Sequence, residues 1–358
     1  MLKTLLPSAL LATILIAPAA NAQAKAPEKA PRQIPFNLSL FGPVGFAQVF
    51  DEPVVALSSL NLISGSIDGI HGVEVGTVYN HVEATMTGFQ AVAGVNVVGK
   101  RVTGMQAAGL GNVSGSLTGL QAAGGFNVAG HVKGVQAGVI NVAGTVKGAQ
   151  AGVINVAGTV KGAQAAVINK ADTVKGLQVG VLNTGGTMTG MQIGVLNVAD
   201  DFTQGAPIGV FSYVRNGRFE GDLQVTDSGF TTLGVNSGTQ RVYSILGLSN
   251  LPKADGNHLG LNVGIGVQFP LSQSTFSRLE LTGGPLQDTP SSVANWTSVN
   301  TLKGMLGWKI APRLALKAGV SLNYATLREG STFRPSENVI YESGRTQFWP
   351  AAFIGVDL

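Results

Sequence analysis

Strict alternation of apolar with small or polar positions marks the chain beyond Phe202. In residues 258–269 (HLGLNVGIGVQF) every odd position is apolar, and the even positions are His, Gly, Asn or Gln. Residues 219–225 and 314–324 alternate in the same way. This period of two predicts β-strands, and the turn signals at Asn216/Gly217, Pro270 and Pro312 separate them.

The two faces of these strands differ in an informative way. One face is apolar, and the other carries glycine, small or polar residues with few charges. A soluble sandwich places apolar residues inside and charges outside, whereas an outer-membrane barrel turns its apolar face to lipid. The pattern therefore favours an antiparallel barrel of about eight strands. A soluble antiparallel sheet is the alternative.

A different pattern, a short tandem repeat, fills the middle of the chain. The unit is Gly-x-Gln followed by Asn, and successive copies are 16, 15 or 14 residues apart. The Gly/Gln pairs are Gly88/Gln90, Gly104/Gln106, Gly119/Gln121, Gly134/Gln136, Gly148/Gln150, Gly162/Gln164, Gly176/Gln178 and Gly190/Gln192. The asparagines are Asn96, Asn112, Asn127, Asn141, Asn155, Asn169, Asn183 and Asn197.

A period this short predicts a β-solenoid with one coil per repeat, because it is too short for a pair of helices. Antiparallel hairpins are the weaker alternative, since identical residues at one spacing are most useful when copies stack in register. The inward side is open at this point: Val146, Gln150 and Ile154 form one candidate set. Ala149, Ala151 and Val153 form the other.

The chain divides into five segments on these patterns. Residues 1–22 have the positive start, apolar run and A-x-A site of a cleaved signal peptide. Residues 23–35 are a Pro/Ala/Lys-rich linker. Residues 36–82 are N-terminal strands or a cap with a degenerate first repeat, residues 83–204 the solenoid, and residues 205–358 the barrel-like domain.

Composition narrows the class of protein. Charged residues are 12% of the chain and hydrophobic residues 44%, which argues against disorder. The net charge of +4 comes without a basic cluster, so no nucleic-acid partner is expected. The chain has no cysteine, which excludes disulfides, thiol catalysis and thiolate metal sites.

Several phrases together resemble a known group of bacterial proteins. They are residues 59–65 (SLNLISG), residues 72–80 (GVEVGTVYN), the tandem G-x-Q-x-G-x-x-N units and residues 205–214 (GAPIGVFSYV). In this order they resemble the surface-repeat proteins described from Leptospira and abundant in Bacteroidetes. The resemblance implies an envelope or surface protein with no established enzymatic activity and no catalytic residues to transfer.

Rows of like side chains are the candidate binding features. Lys133, Lys147, Lys161 and Lys175 share one coil position, so stacking predicts a row of ammonium groups about 4.8 Å apart. This stripe could bind lipopolysaccharide or another anionic glycan. The solvated-face interpretation is favoured, because like charges in a row repel. The Gln136, Gln150, Gln164, Gln178, Gln192 row and the Asn141, Asn155, Asn169, Asn183, Asn197 row predict structural ladders.

No catalytic constellation is present in the sequence. The four histidines lack metal-site spacing, and the adjacent Asp200 and Asp201 are expected to punctuate the solenoid exit. We therefore expect a non-enzymatic envelope protein without cofactor or metal, exported to the outer membrane or surface of a Gram-negative bacterium and contacting outer-membrane lipid. The alternative is a soluble periplasmic or secreted module that binds an anionic polysaccharide. The sequence leaves the oligomeric state open.

Overall fold

The computed structural model describes residues 30–42, 44–254, 256–287, 296–328 and 334–358. The predicted signal peptide lies outside the described residues. Nine strands form the first sheet, with a 3-10 turn at Phe46–Val49. They are β1 (Arg32–Phe41), β2 (Val44–Gly45), β3 (Val54–Asn61), β4 (Ser64–Gly76), β5 (Tyr79–Val92), β6 (Val95–Ala108), β7 (Gly111–Ala123), β8 (Phe126–Ala165) and β9 (Ile168–Val214).

The first sheet is a β-solenoid of about eight turns, as predicted. From β3 to β9, each strand pairs in parallel with the next one along the chain. Between β8 and β9 the register joins identical residues, including Asn155 with Asn169 and Lys161 with Lys175. This parallel register excludes the hairpin arrangement, because hairpins would pair the copies antiparallel.

The inward side follows the first candidate set only at Val146 and Gln150, because Ile154 is not buried and no member of the second set is. Val146, Gln150, Asn155 and Ala157 are buried, whereas Ala151 and Val153 are exposed. A simple alternation fails because the inward phase changes between Ala143 and Val146 and again between Gln150 and Asn155. The core is therefore a thin apolar layer with two amide rows inside it.

The solenoid extends beyond the expected limits of 83 and 204 at both ends. Strand β1 begins at Arg32, inside the expected linker, and pairs in parallel with β3. At the place of the ladder glutamine these early coils carry Asn37, Ser59 and Glu74. The repeat motif is lost there although the coil is kept. At the other end β9 continues to Val214, so the barrel begins after residue 205.

Nine further strands form the second sheet, and eight of them close an antiparallel barrel, as predicted. They are β10 (Arg218–Thr226), β11 (Thr231–Gly238), β12 (Val242–Lys253), β13 (Gly256–Pro270), β14 (Thr275–Gln287), β15 (Trp296–Ala311), β16 (Leu314–Thr326), β17 (Tyr341–Ser343) and β18 (Thr346–Asp357). From β10 to β16 each strand pairs with the next one along the chain, β16 pairs with β18, and β10 closes the barrel against β18. Strand β17 adds to β18 outside the ring.

The barrel is apolar outside and polar inside. In β16, Leu316 and Val320 are exposed, whereas Lys317 and Ser321 are buried. The same inversion holds in β10, where Leu223 is exposed and Asp222 is buried. A soluble sandwich has the opposite arrangement.

The solenoid joins the barrel at one defined end. Here lie the start of β10, the end of β18 and the short connections 239–241, 271–274 and 312–313. We call this the short-turn end. The longest separations between consecutive barrel strands, from Gln287 to Trp296 and from Thr326 to Thr346, have their strand ends at the opposite end of the barrel. The final turn of β9 packs beside β11 and β12, where Ser244 Oγ donates a hydrogen bond to Ser212 Oγ at 2.9 Å.

Candidate functional site

A buried charge network fills the barrel lumen on the side of the short-turn end. Lys317 Nζ lies 2.5 Å from Asp222 Oδ2 and 2.8 Å from Asp357 Oδ1. Arg278 bridges Asp357 at 2.8 Å and Glu220 at 3.3 Å. Since an eight-stranded barrel is only wide enough for its own side chains, this network occupies the lumen in place of water.

Further side chains on β10, β12, β14 and β15 extend the network around the wall. Arg218 contacts Glu220 at 2.7 Å and stacks over the Tyr243 ring at 4.7 Å. Tyr243 donates a hydrogen bond to Glu280 at 2.8 Å. The cations Arg218, Arg278, Lys303 and Lys317 therefore face the anions Glu220, Asp222, Glu280 and Asp357. The lumen is balanced in formal charge, as buried charges require.

The outer wall of the barrel is an apolar belt. Its most exposed members include Leu248, Leu306, Trp308, Val320 and Ile354, each exposed by 60% or more. Water disfavours an apolar surface of this extent, and such patches mark contact with a membrane or a partner. Together the belt and the lumen network make the domain an inside-out barrel.

A column of glycines forms one corner of the eight coils from Gly88 to Gly190. Gly148 has φ +140, and a Cβ placed there would lie 2.0 Å from the carbonyl oxygen of Gly134. Gly134 and Gly162 have the same conformation and the same close approach to the coil before. Only glycine fits, because every other residue would be strained and would collide. This explains the invariant glycine of the repeat.

The glutamines form a continuous hydrogen-bonded ladder. Gln150 Nε2 donates to Gln136 Oε1 at 2.9 Å, and Gln164 Nε2 donates to Gln150 Oε1 at 2.8 Å. Every step from Gln106 to Gln192 has the same direction, with the donor facing the N-terminal coil. The side chains are buried, so the row is a structural core element, in line with its expected role.

The asparagines form a second ladder that runs the other way. Asn141 Nδ2 donates to Asn155 Oδ1 at 2.9 Å, with the donor facing the C-terminal coil. The same amide also donates to the carbonyl of Ala151 at 2.9 Å, which secures the corner. The ladder ends where Asn197 Nδ2 donates to Ser212 Oγ at 3.3 Å. Through Ser212 it meets the barrel at Ser244.

Glu74 ends the glutamine ladder at its N-terminal side. Its carboxylate accepts hydrogen bonds from Gln90 at 2.6 Å and Asn61 at 2.8 Å. Burial raises the pKa of Glu74 to about 7, although these two amide donors lower it. A carboxylate suits this position because the ladder arrives with donors only. The first turns of the solenoid therefore contain a buried acid that titrates near neutral pH.

The lysine row lies where the sequence places it. Lys133, Lys147, Lys161 and Lys175 are exposed, and Lys161 is in register with Lys175. Within the part of the chain that the structure describes, no carboxylate lies within ion-pair distance of these four ammonium groups. The row is available to an external anion, and the solvated-face interpretation fits it equally well.

Asp200 and Asp201 hold the last turn of the solenoid. Arg215 pairs with Asp200 at 2.6 Å, and Asn216 donates a hydrogen bond to Asp201. Both partners lie directly before the first barrel strand. The aspartates therefore fasten the exit of the solenoid instead of forming an acid/base pair.

Sequence reasoning missed the lumen network and Glu74. Lys317, Asp222 and Asp357 are far apart in the chain, and only their places on the non-apolar side of alternating strands hint at a shared interior. Glu74 has a clearer signal, because it occupies the glutamine position of an otherwise recognisable copy. Among the described residues no group of three His, Cys, Asp or Glu side chains could hold a metal ion. No helix in the described ranges is long and apolar enough to cross a membrane.

Comparison with known proteins adds little to this picture. No protein-family model matches the chain, and no curated protein matches it. Among solved structures it is similar to the NanC porin in a rhombohedral crystal form, at 8% identity and a TM-score of 0.19. That match covers 39% of this chain and 99% of the porin chain. At this TM-score the likeness carries no argument.

Proposed function

We propose that the protein is an outer-membrane protein of a Gram-negative bacterium. Its barrel is a closed membrane anchor, and its solenoid is a structural or interaction module without enzymatic activity. The inversion of polarity in the barrel carries the proposal: apolar residues such as Val320 and Ile354 face outward, and charged Lys317 and Asp222 face inward. Lipid is the medium in which this arrangement is stable.

The proposal includes an orientation. Outer-membrane barrels have short turns on the periplasmic side and longer loops outside. The solenoid enters at the short-turn end, beside connections 239–241 and 271–274, whereas the strands with the longest separations in sequence end at Gln287 and Thr326, at the opposite end. The solenoid therefore belongs on the periplasmic side. Export is part of this proposal, and it agrees with the signal-peptide pattern of residues 1–22.

Reconstitution tests the membrane anchor. The purified chain is refolded into phospholipid vesicles, and its mobility on an unboiled gel is compared with that of a boiled sample. A closed barrel in lipid resists detergent until heated, so we expect two bands of different mobility. Protein that stays outside the vesicles and shows one band would contradict the proposal.

A soluble binding module is the second candidate, and the exposed lysine row favours it. Its partner would be an anionic polysaccharide that lies along Lys147 and Lys161. The double substitution Lys147→Glu/Lys161→Glu reverses the charge at the centre of the row, and Thr145→Ala/Thr159→Ala on the same coils is the matched control. Equal binding of both variants to an anionic glycan would leave the lysines as a solvated face.

A further inference from the structure

One side of the solenoid has no outward-facing polar side chain in any of the eight repeat copies. The stretch from each corner glycine to its ladder asparagine contains only Gly, Ala, Val, Leu, Ile, Met, Phe, Gln and Asn in all eight copies between Gly88 and Asn197. Its glutamines and asparagines point inward and are buried. We call the outward residues of these stretches the apolar face.

The apolar face is exposed along the whole solenoid. Met105, Val135, Val153 and Val181 are between 38% and 51% exposed, and they lie on coils from both halves of the repeat region. The opposite stretches carry the other polar and charged residues instead, including Lys147 and Asp172. An apolar surface this long marks contact with a membrane or with a partner protein.

The apolar face runs into the belt of the barrel. A groove of about 980 Å³ lies between the last coils and the barrel wall. Val181, Val195 and Val210 line it from the solenoid, and Ile265 and Leu281 line it from the barrel. Whatever medium surrounds the belt therefore also reaches the apolar face.

The chemistry of the face selects among possible occupants. A protein partner or a glycan needs polar groups to fix its orientation, and protein interfaces carry about one hydrogen bond per 100–200 Å². The face offers no polar side chain for this purpose in the eight copies, and its backbone is paired within the stack. Acyl chains need no such groups.

The lysine row adds a second indication. Each of its lysines stands directly before a corner glycine, as Lys147 stands before Gly148, so the row follows the border of the apolar face. Lysines beside an apolar surface extend their ammonium groups to the level of lipid phosphates. A border of unpaired cations suits a phospholipid surface.

We propose that the apolar face is a lipid-contact surface, covered by acyl chains of the phospholipid leaflet at the short-turn end of the barrel. This proposal rests on the membrane anchor proposed above. The occupant is the acyl region of phospholipids, which fills the groove beside Val195 and continues along the face.

Single cysteines carrying a nitroxide spin label test the proposal, since the chain has no native cysteine. The full chain is reconstituted in phospholipid vesicles, and collisions of each label with lipid-soluble oxygen and with a water-soluble nickel chelate are measured. Val181→Cys probes the apolar face, and Thr187→Cys on the opposite side of the same coil is the matched control. Val320→Cys reports on the barrel belt.

We expect the labels at 181 and 320 to collide with oxygen more than with nickel, and the label at 187 to show the reverse. If the label at 320 lies in lipid and the label at 181 lies in water, the proposed lipid-contact surface is wrong, but the proposed membrane anchor is still supported. A label at 181 shielded from both reagents would also overturn it, in favour of a protein partner. A belt label in water would contradict the anchor itself.

Discussion

Gln90 donates its side-chain amide to the carboxylate of Glu74 at 2.6 Å, and this contact ends the glutamine ladder. Each glutamine of the ladder donates to an acceptor on the coil before, so the ladder must end at a residue that accepts this hydrogen bond without needing a further acceptor itself. Glu74 supplies it, at the cost of burying an acid. The ladder thereby couples the first turns of the solenoid to pH.

The solenoid should lose stability as the pH rises through about 7. Glu74 has a folded-state pKa of about 7 against 4.5 when unperturbed, so its contribution is complete below 4.5 and is lost above 7. A shift of this size corresponds to about 3 kcal/mol of unfolding free energy. This loss is measured by urea unfolding of the full chain in detergent at several pH values, with circular dichroism as the signal.

Two variants separate Glu74 from the other acids in this experiment. Glu74→Gln should make the solenoid transition independent of pH near neutrality, because no buried group there titrates. Glu83→Gln, at an exposed position on the next coil, should keep the wild-type dependence. If Glu74→Gln keeps the wild-type dependence of the unfolding free energy on pH, another titrating group causes that dependence.

The middle of the glutamine ladder should be sensitive to truncation. Gln150→Ala removes the donor to the buried Gln136 Oε1 and the side-chain acceptor of the buried Gln164 Nε2, which costs on the order of 3 kcal/mol of unfolding free energy. Lys147→Ala on the same coil is exposed and should change stability by less than about 0.5 kcal/mol. Urea unfolding measures both effects. If the two substitutions lower the unfolding free energy equally, the ladder does not contribute to stability.

The barrel should depend on Lys317. Lys317→Met leaves Asp222 and Asp357 buried without their shared cation, a loss of about 3–5 kcal/mol. The temperature at which the unboiled gel band converts to the unfolded one measures this loss. Adding Asp222→Asn should recover part of it, because one unpaired charge is removed. A double variant no better than the single one would exclude coupling between the two residues.

The parts of the fold that repeat could be predicted from the sequence. Identical residues at a fixed spacing imply in-register stacking, and the structure pairs Lys161 with Lys175 accordingly. The face of each barrel strand could also be predicted, since Lys317 and Ser321 stand on the non-apolar side of an alternating segment.

The other features of the fold depend on contacts between strands, which the sequence of a single strand does not reveal. The inward phase of the coil is set at its corners, so Val146 and Asn155 are both buried although they differ in parity. The early coils were hidden because Ser59 and Glu74 replace the glutamine that defines the motif. The pairing of Lys317 with Asp222 joins strands from opposite ends of the barrel sequence, and only closure brings them together.

The lumen network also predicts that the barrel does not conduct ions. Lys317 and Arg278 fill the interior with paired charges and are almost completely buried. Recordings in planar phospholipid bilayers should therefore show no steady current from the wild-type protein. Regular stepwise openings would contradict a filled lumen.

Fractionation of the native host, or of a Gram-negative bacterium expressing the full chain, tests the central claim most directly. Washing the outer membranes with alkaline carbonate removes peripheral proteins and leaves those that span the bilayer. The account predicts that the protein sediments with the washed outer membranes. Complete release into the wash would contradict a membrane-spanning barrel.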